Sequence, residues 1–509
     1  MSRDLVIGID QSTSATKAIA WDRSGRAVAE GRAPVTLRNP KPGHFEQDPQ
    51  EWWASTVTAL KGVTSTIDPA RIAAVAISNQ RETFGLFDET GAALHPGTVW
   101  LDERARPQEK SFSQAFGAPA IHAATGKPVN VTPCLYRFIW FRENTPEIFA
   151  RTAKIAEVHG FLSFKLTGDW VTSTASADPM GVLDLAAMDW SWPILDAAGV
   201  PRGMMERLVR PGGVMGHVTD RAATETGLLA GTPVVAGGGD GQCAGAGAGV
   251  QAPGRAYVNL GTAVVSGPYG ERYVHGMPFR TMTAIAERGY IYEMCLRTGT
   301  FLVDWVVRDL FQIDPRKDPG IFRTLEAEAQ ASPIGAGGLV LVPHWQGCMT
   351  PHWDSGARGV IAGLSGWTKR GDIYRAVLEG IALELANNTN LVVAETGVAI
   401  DHFVAIGGGA ASDFWLQLLA DATGRTILRS TTVEASSLGA AMAAATGAGW
   451  YPTVSDASAA MAGEAVARFT PDPARAARYR DLLAIHAALW PVLSDWNARL
   501  MAFAEQSNA

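Results

Sequence analysis

The residues from Asp10 to Lys17 have the types and spacing of a phosphate-binding turn. Asp10 follows a β-branched apolar run that predicts a strand, and the turn after it contains the hydroxyl residues Ser12, Thr13 and Ser14. Closely spaced N–H groups and hydroxyls can surround phosphate oxygens, Lys17 can neutralise their charge, and Asp10 can hold a hydrated Mg²⁺ ion. An ordinary hairpin with a polar turn also explains these residues, and the segment is not a Walker-type loop.

Asp240 is a second carboxylate that could take part in a reaction. It follows an apolar run that ends in three glycines, Gly237, Gly238 and Gly239. Glycine permits positive φ and lets a ligand approach the backbone closely. A lone aspartate after glycines is usually a turn residue. In a cleft opposite a phosphate turn, however, Asp240 could accept the proton of a hydroxyl group as a general base.

Polar residues also follow two other predicted strands. Arg81 and Glu82 come after the apolar run 72–77. Trp100 is the last residue of a further predicted strand, 97–100, and Asp102 follows it. Open α/β sheets bind their ligands at such strand ends. Arg81 and Glu82 offer donors and acceptors for the hydroxyls of a small polyol, although an exposed ion pair is the alternative interpretation.

The opening pattern of strand, hydroxyl turn and strand occurs twice in the chain. The apolar run 256–260 leads into Gly261 and Thr262 and is followed by a second apolar run. Two such openings, about 250 residues apart, indicate an internally duplicated fold that holds a nucleotide between its halves.

A glycine-rich turn near residue 408 is the second candidate for nucleotide contact. Gly408 and Gly409 follow an apolar run and precede a predicted helix, with Ser412 or Asp413 as its cap. A nucleotide can lie against such a strand-to-helix turn, and a purely structural glycine turn is the competing explanation.

The predicted elements must be distributed over more than one core. A chain of 509 residues, 47% of them hydrophobic, exceeds the size of a single domain. We expect two large α/β domains, residues 1–248 and 249–509, divided at the end of the small-residue tract 244–249. A terminal helical segment is predicted from about residue 472.

Composition excludes several classes of function. The formal net charge of −7 and the lack of a long basic run argue against nucleic acid as a partner. No apolar run reaches the ~18 residues of a membrane span, and the run before Asp10 is too short for a signal peptide. The four cysteines lack C-x-x-C spacing, so we expect free thiols in the cytoplasm, with a zinc site as a remote alternative.

These segments, in this order, resemble the FGGY family of carbohydrate kinases. The most specific match is residues 359–364 followed by residues 372–379, which is similar to the family's C-terminal signature. The other family signature fits less well, because Cys134 and Arg137 stand where a small hydroxyl residue or proline and a lysine are usual. The resemblance implies two duplicated actin/hexokinase-like (ribonuclease H-like) ATPase domains with a cleft between them.

Within the family, two branches are represented. The segments 237–240, 259–262 and 350–360 resemble xylulokinases, whereas residues 79–83, Asn-Gln-Arg-Glu-Thr, resemble glycerol kinases, whose Arg-Glu pair binds glycerol. The aromatic residue that helps to hold glycerol has no counterpart, since Thr132 falls near its place. The resemblance implies transfer of the ATP γ-phosphoryl group to a primary hydroxyl of a pentulose, D-xylulose. A glycerol or tetritol (erythritol-type) kinase and a non-catalytic sugar or nucleotide sensor are the alternatives.

The resemblance also assigns roles to the residues singled out above. Asp240 is implied as the catalytic base and Asp10 as the residue that organises Mg²⁺. Contacts with the phosphates and the nucleotide are implied for Ser12, Thr13, Ser14, Lys17, Gly261, Thr262, Gly408, Gly409 and Ser412. Contacts with the sugar or polyol substrate are implied for Arg81, Glu82, Trp100, Asp102 and Asp240. Many relatives form homodimers, so a homodimer is also expected.

Overall fold

A computed structural model describes residues 3–286 and 288–507 of the chain. Its strands, numbered in chain order, are β1 Leu5–Gln11, β2 Ala15–Trp21, β3 Ala27–Pro34, β4 Arg38–Lys41, β5 His44–Gln47, β6 Ile72–Asn79, β7 Phe84–Phe87, β8 Gly97–Thr98, β9 Lys154–Glu157, β10 Val171–Ser173, β11 Leu183–Asp184, β12 Asp189–Trp190, β13 Arg207–Val209, β14 Val214–His217, β15 Pro233–Gly239, β16 Gly254–Leu260, β17 Val264–Gly270, β18 Arg280–Thr283, β19 Tyr290–Leu296, β20 Val340–Val342, β21 Val360–Ala362, β22 Ile400–Ile406, β23 Thr426–Arg429 and β24 Ala467–Phe469.

The helices alternate with these strands along the chain. They are α1 Pro49–Thr64, α2 Arg106–Phe116, α3 Ala118–Thr125, α4 Cys134–Asn144, α5 Pro146–Arg151, α6 Val158–Thr167, α7 Thr174–Ala177, α8 Trp192–Ala198, α9 Asp220–Thr226, α10 Asp240–Gly247, α11 Thr300–Trp305, α12 Ile321–Ala331, α13 Arg370–Thr396, α14 Asp413–Thr423, α15 Ala435–Gly447, α16 Val454–Met461 and α17 Pro473–Ser507. Within the described ranges, no helix is long and apolar enough to span a membrane.

Two large sheets share one topology, apart from an additional edge strand, β18, in the second. The first has the strand order β14-β15-β6-β1-β2-β3, and the second has the order β18-β19-β17-β16-β22-β23-β24. In the first, β1, β2 and β3 form an antiparallel meander, while β6 and β15 continue from β1 in parallel. In the second, β16, β17 and β19 form the meander and β22 and β23 the parallel continuation. The predicted duplication of an α/β fold is therefore confirmed.

The buried strands β1 and β6 of the first sheet carry polar residues only at their carboxyl ends. The first five residues of β1 are buried, and all of β6 is buried. Asp10 near the end of β1 pairs with Ser78 near the end of β6, because the two strands run in parallel. A separate five-stranded sheet, β4-β5-β8-β7-β9, belongs to this half of the chain, and its strand β7 follows Arg81 and Glu82.

Helix α15 packs against the first sheet, although it follows the second sheet in the chain. The Ser437 hydroxyl donates to the Gly8 carbonyl at 2.9 Å and accepts from Trp21 Nε1 at 3.1 Å. A Cβ on Gly8 would lie 1.9 Å from the Ser437 carbonyl oxygen, so only glycine allows this approach. The small-residue helix α10 packs on α15 in the same close manner. The first half is thus completed by a helix from the second half of the chain.

Candidate active site

The turn between β1 and β2 is a tight hydroxyl-lined loop, as the sequence predicts. The Ser12 hydroxyl donates to the Ala15 carbonyl at 2.8 Å, and the Thr13 hydroxyl accepts from Trp100 Nε1 at 3.0 Å. Ser14 is exposed. Lys17 Nζ lies 2.6 Å from both carboxylate oxygens of Glu434. The lysine thus already has an anionic partner in the loop before α15.

Asp10 lies beside this turn among other acidic groups. The Ser78 hydroxyl donates to Asp10 Oδ1 at 3.0 Å. Burial and the nearby carboxylate of Asp240 raise the pKa of Asp10 to about 7, and the Lys17 ammonium and the Ser78 hydrogen bond oppose the shift. A bound cation favours the ionised form of such a carboxyl group. Asp10 therefore has the electrostatics of a cation site.

Asp240 is the first residue of α10 and faces the same region. Its Oδ1 accepts from the Gly241 N–H at 2.7 Å and lies 2.9 Å from Arg81 Nε. Its side chain is 41% exposed, and its Oδ2 has no hydrogen-bond partner among the described residues. One carboxylate oxygen is thus fixed and the other is available to a ligand.

Arg81 and Glu82 belong to a buried ionic network. Arg81 Nη1 lies 2.7 Å from Glu293 Oε2, and Arg280 contacts both Glu293 Oε1 and Glu82 Oε1 at 2.6 Å. The Tyr257 hydroxyl also donates to Glu293, at 3.1 Å. The side chains of Arg81 and Glu82 are only 9% and 5% exposed. Both residues therefore have protein partners for their charges.

Glu82 has an unusual backbone conformation, with φ of +47°. Its carbonyl oxygen accepts from Arg137 Nη2 at 2.6 Å, and Arg137 Nη1 donates to the Val99 carbonyl at 2.8 Å. Left-handed φ is costly for a residue with a side chain and persists only where surrounding contacts hold it. Arg137, which departs from the family signature, is fully buried and provides one of those contacts.

Trp100 and Asp102 have different surroundings. Trp100 is 39% exposed, and its Nε1 donates a hydrogen bond to Thr13 in the turn between β1 and β2. Asp102 is fully buried, and its carboxylate accepts from Arg104 Nε at 2.8 Å and from the Phe45 N–H at 2.8 Å. The structure thus brings Trp100 to the turn, whereas the hydrogen-bond donors around Asp102 come from the protein. Contact between Asp102 and the sugar substrate stays a prediction.

The two glycine turns of the second half line one cavity of about 690 Å³. Thr262, Gly408, Gly409 and Ser412 all contribute to its wall. The Ser412 side chain caps α14 by accepting from the Trp415 N–H at 3.0 Å, which confirms the predicted cap. Gly261 lies next to this wall, where its carbonyl accepts from the Thr300 N–H at 2.8 Å.

The sequence did not predict the cavity residues contributed by α12, or Arg280 and Glu293 of the ionic network. Phe322, Arg323 and Glu326 of α12 also line the cavity, and nothing in their spacing distinguishes α12 from an ordinary surface helix. Glu293 did leave a signal, because a single carboxylate within the apolar strand 290–296 requires a buried cationic partner.

Comparison with known proteins identifies the family. The profile for the FGGY family of carbohydrate kinases, N-terminal domain, matches residues 5–247, and the profile for its C-terminal domain matches residues 244–448. The chain belongs to the FGGY family of carbohydrate kinases. It is an ATP-dependent phosphotransferase that acts on small sugar-type substrates.

Relatives of this kinase include enzymes with two different acceptors. A xylulose kinase of Bacillus subtilis is 30% identical over 98% of this chain and 99% of its own. A glycerol kinase of Citrifermentans bemidjiense is 30% identical over 88% of this chain and 91% of its own. The crystal structure of xylulose kinase from Rhodospirillum rubrum superposes with a TM-score of 0.89 at 26% identity, over 97% of this chain and 100% of that chain.

Alanine substitutions at two neighbouring glycines test whether the kinase binds ATP in the 690 Å³ cavity. A Cβ on Gly408 would meet nothing within 4 Å, so Gly408→Ala is expected to leave Tm unchanged while the added methyl group obstructs ATP. We expect KM for ATP to rise about tenfold, equivalent to ~1.4 kcal/mol of binding. Steady-state kinetics with varied ATP measure this change.

Gly409→Ala is the matched control for Gly408→Ala. Its Cβ would lie 2.6 Å from the Trp415 ring and 2.9 Å from Leu260 Cβ, so this variant is expected to lose ~1–3 kcal/mol of stability by overpacking. Thermal denaturation should therefore separate the two variants. An unchanged KM for ATP in both would argue against nucleotide binding in this cavity.

Proposed function

We propose that this kinase transfers the γ-phosphoryl group of ATP to a primary hydroxyl of a pentulose, with D-xylulose as the substrate and D-xylulose 5-phosphate as the product. The observation that carries the proposal is the half-exposed Asp240 carboxylate, fixed through Oδ1 beside the turn of Asp10 and Lys17. Asp240 takes the hydroxyl proton as the new O–P bond forms, and the bond from the γ-phosphorus to ADP breaks.

Asp10 would hold a Mg²⁺ ion in this reaction. Among the described residues, no cluster of three or more His, Cys, Asp or Glu side chains is arranged to hold a metal. Mg²⁺ requires fewer, because it is usually bound by one or two carboxylates together with water and substrate phosphates. The raised pKa of Asp10 fits such a partner. When bound, Mg²⁺ neutralises charge on the phosphates.

The remaining predicted residues take supporting roles in the proposal. The turn of Ser12, Thr13 and Ser14 binds phosphate oxygens, and Lys17 shares its charge between Glu434 and the phosphates. In the other half, Thr262, Gly408, Gly409 and Ser412 bind the nucleotide from the wall of the cavity. Phosphoryl transfer depends on positioning and charge stabilisation, so both halves of the chain are needed for it.

The ion pairs that Arg81 and Glu82 form with other residues of the chain favour a pentulose over glycerol as the substrate. A pair that binds a small polyol must offer its charged ends to the ligand, but Arg81 Nη1 already binds Glu293 and Glu82 Oε1 already binds Arg280. The glycerol kinase relative at 30% identity and the Asn-Gln-Arg-Glu-Thr segment keep glycerol or a tetritol as the second candidate. The second candidate requires the ionic network to open when the acceptor binds.

ADP release with ATP and Mg²⁺ decides between these acceptors. D-xylulose, D-ribulose, L-ribulose, erythritol and glycerol are tested separately, with Asp240→Asn as the blank for contaminating kinases. We expect kcat/KM for D-xylulose to exceed that for glycerol at least about tenfold. A preference for glycerol or erythritol would instead mean that Arg81 and Glu82 set the specificity.

Two wider features complete the proposal. We expect the kinase to act in the cytoplasm, as the spacing of its four cysteines indicates, and to form a homodimer, as the resemblance to its family implies. Light scattering of the purified chain measures the oligomeric state, and a monomer at micromolar concentration would remove the dimer from the proposal.

A further inference from the structure

The Arg81 guanidinium lies between two carboxylates. Its Nε is 2.9 Å from Asp240 Oδ1, and its Nη1 is 2.7 Å from Glu293 Oε2. A guanidinium is planar and rigid, so the position of one bonded edge fixes the direction of the other. The contact with Glu293 therefore determines how Arg81 meets Asp240.

The two carboxylates come from different halves of the chain. Asp240 follows the first sheet, whereas Glu293 lies on β19 of the second sheet, opposite Arg280 on β18. Strand β18 is itself attached to the first half, because the Thr281 N–H donates to the Gly126 carbonyl at 2.9 Å and Lys127 Nζ donates to the Thr281 carbonyl at 2.6 Å. These contacts hold Glu293 in place against Arg81.

Glu293 is an ionised residue in a fully buried position. Burial opposes its charge, but Arg280 and Arg81 overcome this effect and lower its pKa to about 2. It is therefore a carboxylate throughout the range of any kinase assay. A buried negative charge between two arginines is a fixed structural element, not a titrating one.

The backbone around Asp240 leaves room for this arrangement. A Cβ on Gly241 would lie 2.9 Å from Glu293 Oε2 and 3.1 Å from Arg81 Cζ. A Cβ on Gly239 would lie 2.6 Å from Arg81 Cδ. The glycines on both sides of Asp240 thus allow the Arg81 side chain to pass next to it and reach Glu293.

We propose that Glu293 is a positioning residue that orients Asp240 through Arg81. The inference rests on the proposed role of Asp240 as the base. The Gly241 N–H donates to the Asp240 carboxylate, and Arg81 is the only described residue that forms an ion pair with it. Without the Glu293 charge, Arg81 turns towards Asp240 and engages both of its oxygens, including the one that receives the hydroxyl proton.

A double-mutant cycle tests the proposal. Glu293→Gln should lower kcat about tenfold while leaving KM for ATP unchanged, because the nucleotide cavity is untouched. In an Arg81→Met background, the same Glu293→Gln change should alter kcat less than about twofold, since its effect passes through Arg81. Equal factors in both backgrounds would show that Glu293 acts independently of Arg81 and would overturn the proposal.

Glu379→Gln provides a matched control. Glu379 is also buried and lies 2.7 Å from an arginine, Arg375, but it has no contact with the residues around Asp240. Its substitution should cost stability, leave kcat within about twofold and act additively with Arg81→Met. If Glu293→Gln does not fold, Glu293→Asp keeps the charge but shortens the side chain, and its smaller loss of kcat should likewise disappear in the Arg81→Met background.

A crystallographic comparison needs no acceptor and separates this inference from the proposed function. Crystal structures of the wild type and Glu293→Gln should differ at Asp240, with Arg81 bonded to both carboxylate oxygens in the variant. An unchanged Asp240 side chain in the variant would overturn the positioning role. A wild-type enzyme that phosphorylates none of the acceptors would count against the proposed function alone, because this structural comparison would still decide the role of Glu293.

Discussion

Asp240→Asn should lower kcat about a thousandfold for any acceptor, the largest effect expected of a single substitution in this kinase. The asparagine has the same shape and can keep its contact with Arg81 through the amide oxygen, but it cannot take the hydroxyl proton. General bases contribute ~10²–10⁴ in rate. The dissociation constant for ATP should stay within about twofold, because Asp240 does not line the 690 Å³ cavity where we propose that the nucleotide binds. Coupled ADP release and equilibrium ATP binding measure the two quantities.

Asp220→Asn is the control for this result. Asp220 is also the first residue of a helix in the first half of the chain, and it is exposed. Its substitution should leave kcat unchanged. Turnover by Asp240→Asn within about tenfold of the wild type would remove Asp240 from the role of base.

Asp10→Asn should have the second largest effect. Loss of the only charge on this side chain removes the group that would hold Mg²⁺, so we expect kcat to fall about a hundredfold and the half-saturating Mg²⁺ concentration to rise at least about tenfold. Titration of activity with Mg²⁺ at fixed ATP measures both. A variant with the wild-type Mg²⁺ response would show that another group binds the metal.

The same substitution has a pH signature that requires no turnover. The pKa of Asp10 is about 7 in the folded chain, above the ordinary value of 3.8. The folded state therefore binds this proton more tightly than the unfolded state, so stability declines as pH rises from about 4 to about 7. Without Mg²⁺, this part of the decline in Tm should be present in the wild type and absent in Asp10→Asn.

The strand ends could be predicted because local sequence determines them. The apolar runs before Asp10, Arg81 and Asp240 are strands, and the predicted cap at Ser412 is present. The duplicated topology followed from the two similar openings and was confirmed by the matching strand orders. Patterns of this kind depend on neighbours in the chain, so the sequence carries them directly.

The partners of these residues could not be predicted. Arg81 and Glu293 are separated by 212 positions, and Lys17 and Glu434 by 417, so no local pattern connects them. Their pairing depends on how the edge of the second sheet and the loop before α15 meet the first half. Part of the cavity wall is contributed by α12, whose sequence is that of an ordinary amphipathic helix.

The packing of α15 on the first sheet limits how hybrid enzymes can be built from this family. An engineer who wishes to exchange acceptor specificity would naturally graft the first half of a relative onto the second half of this chain. Such a hybrid would join a foreign first sheet to the resident α15, where the Gly8 and Ser437 backbones leave no space for a mismatched side chain. Residues 435–447 therefore belong with residues 1–247 as one unit of exchange, although the second sheet lies between them in the gene.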